Sequence, residues 1–182
     1  MKKILFPLLS IPVLFFSCKK DSDSPTPGNT FQLKINGTAT TFKLMSATLI
    51  RSAADNQKRL DISGTSEDGK TVFVLTIGEE TAEGNGVTVG KHDVREFNDD
   101  DPNTPEDETI DSDAFVTLSF YSGSNLVTDV YAENGDITIT ADDESAHTVS
   151  GTFQQTLKSL NGGTDYTISD GSFNNISYIV AN

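Results

Sequence analysis

The stretch that decides the fold is AFVTLSFY, at residues 114–121. Apolar and polar residues alternate along it, so that Val116, Leu118 and Phe120 share one face of the segment. Alternation with a period of two, in a run of β-branched and aromatic residues, is typical of a β-strand that is buried on one face. We therefore predict a strand here, packed against an apolar core.

Runs of the same kind recur on both sides of this strand and are separated by turn signals. Asp68-Gly69 separates two of them, residues 59–64 and 71–77, and predicts a β-hairpin. The spacing of the turn signals favours an all-β fold, an antiparallel β-sandwich of about nine or ten strands, with a closed or partly open β-barrel as the alternative. The residues that we expect to face the core are Phe31, Leu33, Ile35, Leu60, Ile62, Phe73, Leu75, Val116, Leu118, Phe120, Ile137, Ile139, Phe153 and Ile168.

Three local patterns give more specific predictions. Met45, Ala47 and Leu49 occupy alternate positions and are expected to share one face of a strand. Residues 51–57 are compatible with the start of a short helix, although they lack a repeated apolar stripe. Asn134-Gly135 is expected to turn the chain between two strands.

A literal phosphate-loop pattern, GTSEDGKT at residues 64–71, lies across the expected hairpin. A phosphate-binding loop must lead into a helix, whose first amides and dipole hold the phosphate. Residues 72–77, VFVLTI, favour a strand instead, and Glu67 and Asp68 would repel phosphate oxygens. We therefore expect no nucleotide partner.

The chain begins with a leader, MKKILFPLLSIPVLFFSC, that ends at its one cysteine, Cys18. Its apolar run is shorter than the ~20 residues of a membrane-spanning helix and follows two lysines, as in a secretory signal peptide. The last four residues resemble a bacterial lipobox, with Phe15 where leucine is usual; a plain signal peptide with an incidental cysteine is the alternative. We predict a lipoprotein signal peptide at 1–17, a lipidated Cys18 and flexible tether at 18–30, and a single β domain at 31–182.

The sequence is strongly acidic, with 27 Asp and Glu against 13 Lys and Arg and a formal net charge of −14. Polyanions are repelled by such a chain, so we expect neither nucleic acid nor an anionic membrane surface as a partner. The membrane is expected to be reached through the lipid on Cys18. That anchor predicts an outer-membrane location, on the periplasmic or the cell-surface face.

One acidic segment resembles a calcium-binding loop in part. Asp99, Asp101, Asn103 and Asp107 occupy positions one, three, five and nine of the calcium-loop pattern. The pattern lacks the glycine that the turn requires and the bidentate glutamate at its end. Two interpretations stay open: a weak calcium site that orders the segment, or a solvated acidic loop.

The sequence contains no zinc-ligand spacing and no nucleophile elbow. Its two histidines, His92 and His147, stand far apart and are expected to be surface or strand residues. We therefore predict no catalytic residues and no resident cofactor, apart from the weak calcium site considered above.

Two short motifs near the end, SGTF at residues 150–153 and DGSF at residues 170–173, accompany Ile35-Asn36-Gly37 and the lipobox. Together they resemble a Bacteroidota-type family of small all-β lipoproteins of unknown function. The resemblance implies an all-β domain without enzymatic activity. The predicted function is a lipid-anchored outer-membrane binding or interaction module whose candidate partner is a glycan or an envelope protein. The alternatives are an accessory structural subunit of an envelope complex and a carboxylate-dependent hydrolase.

Overall fold

The computed structural model describes residue 28 and residues 30–94, 114–159 and 163–182. In these ranges, no helix is long and apolar enough to cross a membrane. Their regular structure consists of ten β-strands. In chain order, these are β1 (Thr30–Ile35), β2 (Thr38–Ser52), β3 (Gln57–Ser66), β4 (Thr71–Glu79), β5 (Gly90–Val94), β6 (Ala114–Ser122), β7 (Asn125–Asp143), β8 (Thr148–Ser159), β9 (Tyr166–Ser177) and β10 (Ile179–Ala181).

Eight of the strands form a closed antiparallel barrel, in the order β1, β9, β8, β7, β6, β4, β3 and β2, with β2 pairing again with β1. Strand β1 closes the barrel because Phe31 pairs with Phe42 of β2 on one side and with Phe173 of β9 on the other. The all-β prediction is confirmed, and of the two predicted architectures the structure has the closed barrel and not the sandwich. A barrel of eight strands is just wide enough for its own side chains to fill the interior.

The two remaining strands extend the wall beside the two longest strands. Strand β7 pairs with β6 through its first half and then with β5 through residues 135–139. In the same way, β2 pairs with β1 through residues 38–43 and with β10 through residues 48–50. Each long strand therefore pairs with two successive strands along one of its edges.

Phenylalanine side chains from several strands meet inside the barrel. Phe31 stacks on Phe42 with their ring centroids 5.3 Å apart, and the ring of Phe73 packs against both at 4.9 Å and 5.7 Å. All residues predicted to face the core are buried except Ile35 and Phe120, which are partly buried and pack against it. Both exceptions lie near hairpin turns, where solvent reaches the end of a barrel.

The SGTF and DGSF motifs pair with each other across β8 and β9. Gly151 lies opposite Phe173, and Phe153 lies opposite Gly171. A Cβ atom on Gly151 would come 2.5 Å from Phe173 Cζ, and one on Gly171 would come 2.5 Å from Phe153 Cδ2. Each ring therefore covers the glycine of the neighbouring strand, which explains why both motifs place glycine two residues before phenylalanine.

The hairpin predicted at Asp68-Gly69 is confirmed, and the phosphate-loop pattern belongs to it. Asp68 Oδ1 accepts hydrogen bonds from Ser66 Oγ at 2.7 Å and from the Lys70 N–H at 3.1 Å. The hydrogen bond from Ser66 holds the pKa of Asp68 below its ordinary value. The chain continues after Lys70 as strand β4, so this turn does not lead into the helix that a phosphate site requires.

The predicted orientation of Met45 is wrong. A β-bulge between Leu44 and Ser46 changes the side to which the following residues point. Met45 is therefore 61% exposed, whereas Ala47 and Leu49 are buried in the core. An extra residue in a strand shifts the phase of the alternation without altering its composition, so the sequence pattern alone did not reveal it.

Two other local predictions are also wrong. Residues 53–56 form a turn between β2 and β3 instead of starting a helix. Asn134-Gly135 is not a turn, because β7 continues through it as one strand. Gly135 has a φ of 138°, and a Cβ atom there would collide with the carbonyl oxygen of Gln154. Glycine is required at this position for the close approach of β8 to β7 and not for a reversal of the chain.

Candidate functional site

Two sets of predicted site residues lie outside the described residues. They are the lipidation residue Cys18 and the candidate calcium ligands Asp99, Asp101, Asn103 and Asp107. Within the described ranges, no group of three or more His, Cys, Asp or Glu side chains is arranged to hold a metal ion. Within the described ranges, a ligand has three places to bind: the interior of the barrel, the end that a loop covers, and the outer wall.

Residues 80–89, which we call the end loop, connect β4 to β5 and lie over a buried ion pair. Lys58 Nζ lies 3.0 Å from Glu79 Oε2, and each side chain is 7% exposed. Lys58 also donates to the carbonyl oxygen of Glu83 at 2.9 Å, and Glu79 Oε1 accepts from the Thr88 N–H at 2.5 Å. Glu79 Oε2 accepts no hydrogen bond of good geometry in the described structure, so the ammonium group of Lys58 balances its charge.

Two more carboxylates hold the backbone of the end loop. The Asn85 N–H donates to Glu144 Oε2 at 3.2 Å, and the Val87 N–H donates to Asp142. The Tyr178 hydroxyl lies 2.8 Å from the carbonyl oxygen of Asn85 and 3.2 Å from Asp142 Oδ1. Burial raises the pKa of Asp142, and burial together with the charge of Asp142 raises the pKa of Tyr178. Three carboxylates in all therefore bind its amides and hold the end loop against β4 and the end of β7.

Two polar side chains point into the barrel from β5 and β8. His92 is 3% exposed; its Nε2 lies 2.9 Å from the carbonyl oxygen of Thr88, whereas its Nδ1 has no hydrogen-bond partner in the described ranges. Gln155 is 4% exposed, and neither its Oε1 nor its Nε2 has a partner there. The sequence singles out neither residue as a site, although the alternation along β8 does place Gln155 on the same face as Phe153.

The outer wall carries side chains of polar residues at one level across six strands, which we call the polar row. Thr138 of β7 lies opposite Thr152 of β8, and Thr152 lies opposite Ser172 of β9. The hydroxyl groups of these three residues have no hydrogen-bond partner in the described part of the protein. The full row consists of Lys91, Thr138, Thr152, Ser172, Gln32 and Thr41.

An open groove of about 440 Å³ crosses the middle of the polar row, and two carboxylates border it. Asp136 Oδ1 lies 3.1 Å from Lys91 Nζ, and Asp136 Oδ2 accepts from Gln154 Nε2 at 3.1 Å. These hydrogen bonds hold the pKa of Asp136 below its ordinary value, and the hydrogen bond from Lys91 has the largest effect. Asp170 Oδ2 lies 2.7 Å from Lys34 Nζ. Fixed carboxylate acceptors therefore flank hydroxyl groups that can both donate and accept hydrogen bonds.

A second cleft, of about 350 Å³, lies on β2, β3 and β4 beside the buried ion pair. Its charged side chains include Lys58, which pairs with Glu79, and Arg59, whose Nη2 lies 3.0 Å from Asp61 Oδ2. The charges of these residues are paired within the protein, as are those of Asp136 and Asp170 at the polar row. The polar row is favoured as the binding surface because it adds hydroxyl groups that have no partner in the described part of the protein.

No protein-family model, curated protein or solved structure matches this chain. A function must therefore be inferred from the geometry of the barrel and from the leader.

Proposed function

We propose that this chain is a lipid-anchored, non-catalytic binding module of the outer membrane, and that it binds a neutral glycan on its outer wall. The observation that carries the proposal is the polar row. Adjacent strands present hydroxyl and amide groups at one level, beside an open groove bordered by two carboxylates. Hydroxyl and amide groups donate and accept hydrogen bonds, as the hydroxyl groups of a sugar also do.

The packing of the barrel favours an outer binding surface over an inner one. An eight-stranded barrel either fills its interior with side chains or holds one small ligand there. Here the rings of Phe31, Phe42 and Phe73 meet inside the barrel, and the end loop covers one end. A chain-like ligand is therefore accommodated on the wall.

The charge of the protein favours a neutral ligand. The chain has a formal net charge of −14, and Asp136 and Asp170 border the groove. An acidic polysaccharide would be repelled by this surface. The hydroxyl groups of a neutral sugar would instead donate to the two carboxylates.

The start of the barrel is compatible with an N-terminal anchor. The Gly28 N–H donates to the carbonyl oxygen of Asn175 at 2.7 Å, so the chain joins the barrel at this point. The residues between Cys18 and Gly28 would span on the order of 30 Å if extended. A tether of that reach leaves the outer wall accessible to a ligand beside the membrane.

An accessory subunit of an envelope complex is the second candidate function. It is favoured by Leu126 and Val127, neighbours near the β6–β7 turn that are 51% and 64% exposed. Adjacent exposed apolar side chains are a feature of protein contact surfaces. This role would be recognised by a protein partner that copurifies at fixed stoichiometry from detergent-solubilised membranes.

The anchor is tested with Cys18→Ala in the full-length chain. The parent is expected to enter the detergent phase on phase separation, and the variant is expected to stay in the aqueous phase, because an acyl chain adds about 0.8 kcal/mol of membrane affinity per buried CH₂. Ser22→Ala, a replacement within the expected tether, serves as the control and should behave as the parent. If Cys18→Ala still enters the detergent phase as the parent does, lipid anchoring at this residue is wrong.

A further inference from the structure

Three exposed apolar side chains lie on the outer wall that β2 and β10 form. Ile179 of β10 is 71% exposed, and Met45 and Ile50 of β2 are 61% and 37% exposed. Ile50 follows the buried Leu49 and therefore points outward. Ile179 pairs with Thr48, which points to the same side as Ile50, so Ile50 and Ile179 are diagonal neighbours on one surface. We call Met45, Ile50 and Ile179 the apolar patch.

The two segments that carry the apolar patch contain no charged residue, although the chain is strongly acidic. Residues 44–50 lack Asp, Glu, Lys and Arg, and so do residues 171–182, which include all of β10. Beside them on β3, Arg59 Nη2 and Asp61 Oδ2 lie 3.0 Å apart and balance each other's charge. Exposed apolar side chains grouped on one surface are a feature of contact with a protein or a membrane.

The chain enters the barrel beside the apolar patch. Strand β1 pairs with β2 as far as Lys43, and β10 pairs with the same edge of β2 from Thr48 onward. The chain that precedes β1 therefore leaves the barrel between these two strands, at the level of Met45. Gly28 marks this point, because its N–H donates to β9. A lipid on Cys18 would hold this wall within about 30 Å of the membrane.

We propose that the apolar patch contacts the surface of a zwitterionic phospholipid bilayer and thereby orients the barrel on the membrane. This inference rests on the proposed lipid anchor and specifies which wall of the anchored barrel faces the lipid. Apolar side chains gain free energy by entering the headgroup region, and an uncharged wall loses little hydration there. The tether makes the contact intramolecular, so that a small patch is sufficient.

The charge of the chain favours a bilayer over a second copy of the protein as the occupant of the apolar patch. Two chains with a formal net charge of −14 repel each other, whereas a zwitterionic surface has no net charge. The contact also leaves the groove of the polar row accessible. That groove lies on β7, β8 and β9, and β8 is separated from β2 by β9 and β1 in a barrel of eight strands. The groove is therefore turned away from the bilayer.

A single tryptophan reports on the contact, because the chain contains none of its own. The full chain with Ile179→Trp is reconstituted in phosphatidylcholine vesicles whose brominated acyl chains quench a tryptophan that reaches the bilayer. We expect the fluorescence to be quenched and its emission maximum to shift to shorter wavelength. Leu126→Trp is the matched control, because Leu126 is 51% exposed near the β6–β7 turn, away from the patch. Neither change is expected there.

A charge within the apolar patch provides the second measurement. Met45→Glu, added to the Ile179→Trp chain, is expected to abolish the quenching, because a carboxylate resists transfer into the headgroup region. Met45→Gln has nearly the same shape without the charge and should retain the quenching. Met45 is exposed, so neither replacement disturbs the core. Equal quenching of the Met45→Glu and Met45→Gln proteins would overturn the proposal.

Flotation of the same vesicles separates this inference from the anchor. If the Ile179→Trp protein floats but is quenched no more than the Leu126→Trp protein, the membrane contact is overturned and the anchor stands. If the parent does not float, the anchor is wrong and the contact falls with it. A dimer in detergent, resolved by analytical ultracentrifugation and accompanied by a blue shift at Ile179→Trp without quenching in vesicles, would assign the patch to a second copy and overturn the proposal.

Discussion

Lys58→Met is expected to lower the free energy of unfolding by about 4 kcal/mol. The side chains of Lys58 and Glu79 are each 7% exposed, and their charged atoms lie 3.0 Å apart beneath the end loop. The replacement leaves a buried carboxylate without its counter-charge and removes the hydrogen bond to the carbonyl oxygen of Glu83. Urea unfolding followed by far-UV circular dichroism measures the change.

Two controls isolate the effect of burial. Lys70→Met makes the same replacement in an exposed pair, where Lys70 Nζ lies 3.8 Å from Asp68 Oδ2, and should leave the free energy of unfolding close to that of the parent. The double variant Lys58→Met/Glu79→Gln removes both charges and keeps an acceptor for the Thr88 N–H. It should be about 2 kcal/mol more stable than Lys58→Met alone. Equal stability of Lys58→Met and Lys70→Met would show that the Lys58–Glu79 pair is solvated.

Gly171→Ala is expected to lower the free energy of unfolding by about 3 kcal/mol. The new Cβ atom would lie 2.5 Å from the ring of Phe153 and 2.6 Å from its backbone oxygen. The ring can move to another rotamer, but the oxygen moves only if β8 and β9 separate. Phe153→Leu in the same chain should therefore relieve only part of the strain. Urea unfolding of the single and double variants measures both effects.

Gly123→Asn is the control for this replacement. Gly123 lies in the β6–β7 turn with a φ of 63°, and no atom lies within 4 Å of the position that a Cβ atom would take. Asparagine tolerates this conformation, so the free energy of unfolding of the Gly123→Asn protein should stay within about 0.5 kcal/mol of the parent value. A Gly171→Ala protein as stable as Gly123→Asn would refute the reciprocal fit of the two motifs.

The strands could be predicted from the sequence because alternation is a local property. It identified residues 114–121 as a strand and selected most of the core. Closure could not be predicted in the same way, since it depends on Phe31 pairing with both Phe42 and Phe173, which lie far from each other in sequence. The bulge at Met45 could not be predicted from the sequence either, because a bulge depends on how the partner strand aligns.

The candidate site depends on strand register, which only part of the sequence specifies. The turn at Asp68-Gly69 fixes the register of its hairpin, and continuing that register to the far end pairs Lys58 with Glu79. This signal could have identified the buried ion pair. The turn between β7 and β8, residues 144–147, is equally short, but a β-bulge between Ile139 and Ala141 shifts the register by one residue. Thr138 and Thr152 could therefore be predicted as outward-facing residues but not as neighbours. A shift of one residue would turn such side chains to the other face.

Affinity electrophoresis in gels that contain a dissolved polysaccharide tests the outer binding surface most directly. We expect a soluble neutral polymer, such as a β-glucan, a mannan or a galactan, to retard the full chain in mild detergent. Acidic polygalacturonate should not retard it. Thr152→Val/Ser172→Ala should bind about tenfold more weakly, because each lost hydrogen bond contributes about 0.5–1.5 kcal/mol.

The matched control is Thr117→Val/Ser119→Ala, which makes the same replacements on the outer wall of β6. Binding at the polar row predicts that this control is retarded as strongly as the parent, while Thr152→Val/Ser172→Ala migrates closer to its position in a gel without polysaccharide. Equal retardation of all three proteins would place the ligand elsewhere on the barrel. Failure of every neutral polymer to retard the parent would contradict glycan binding altogether.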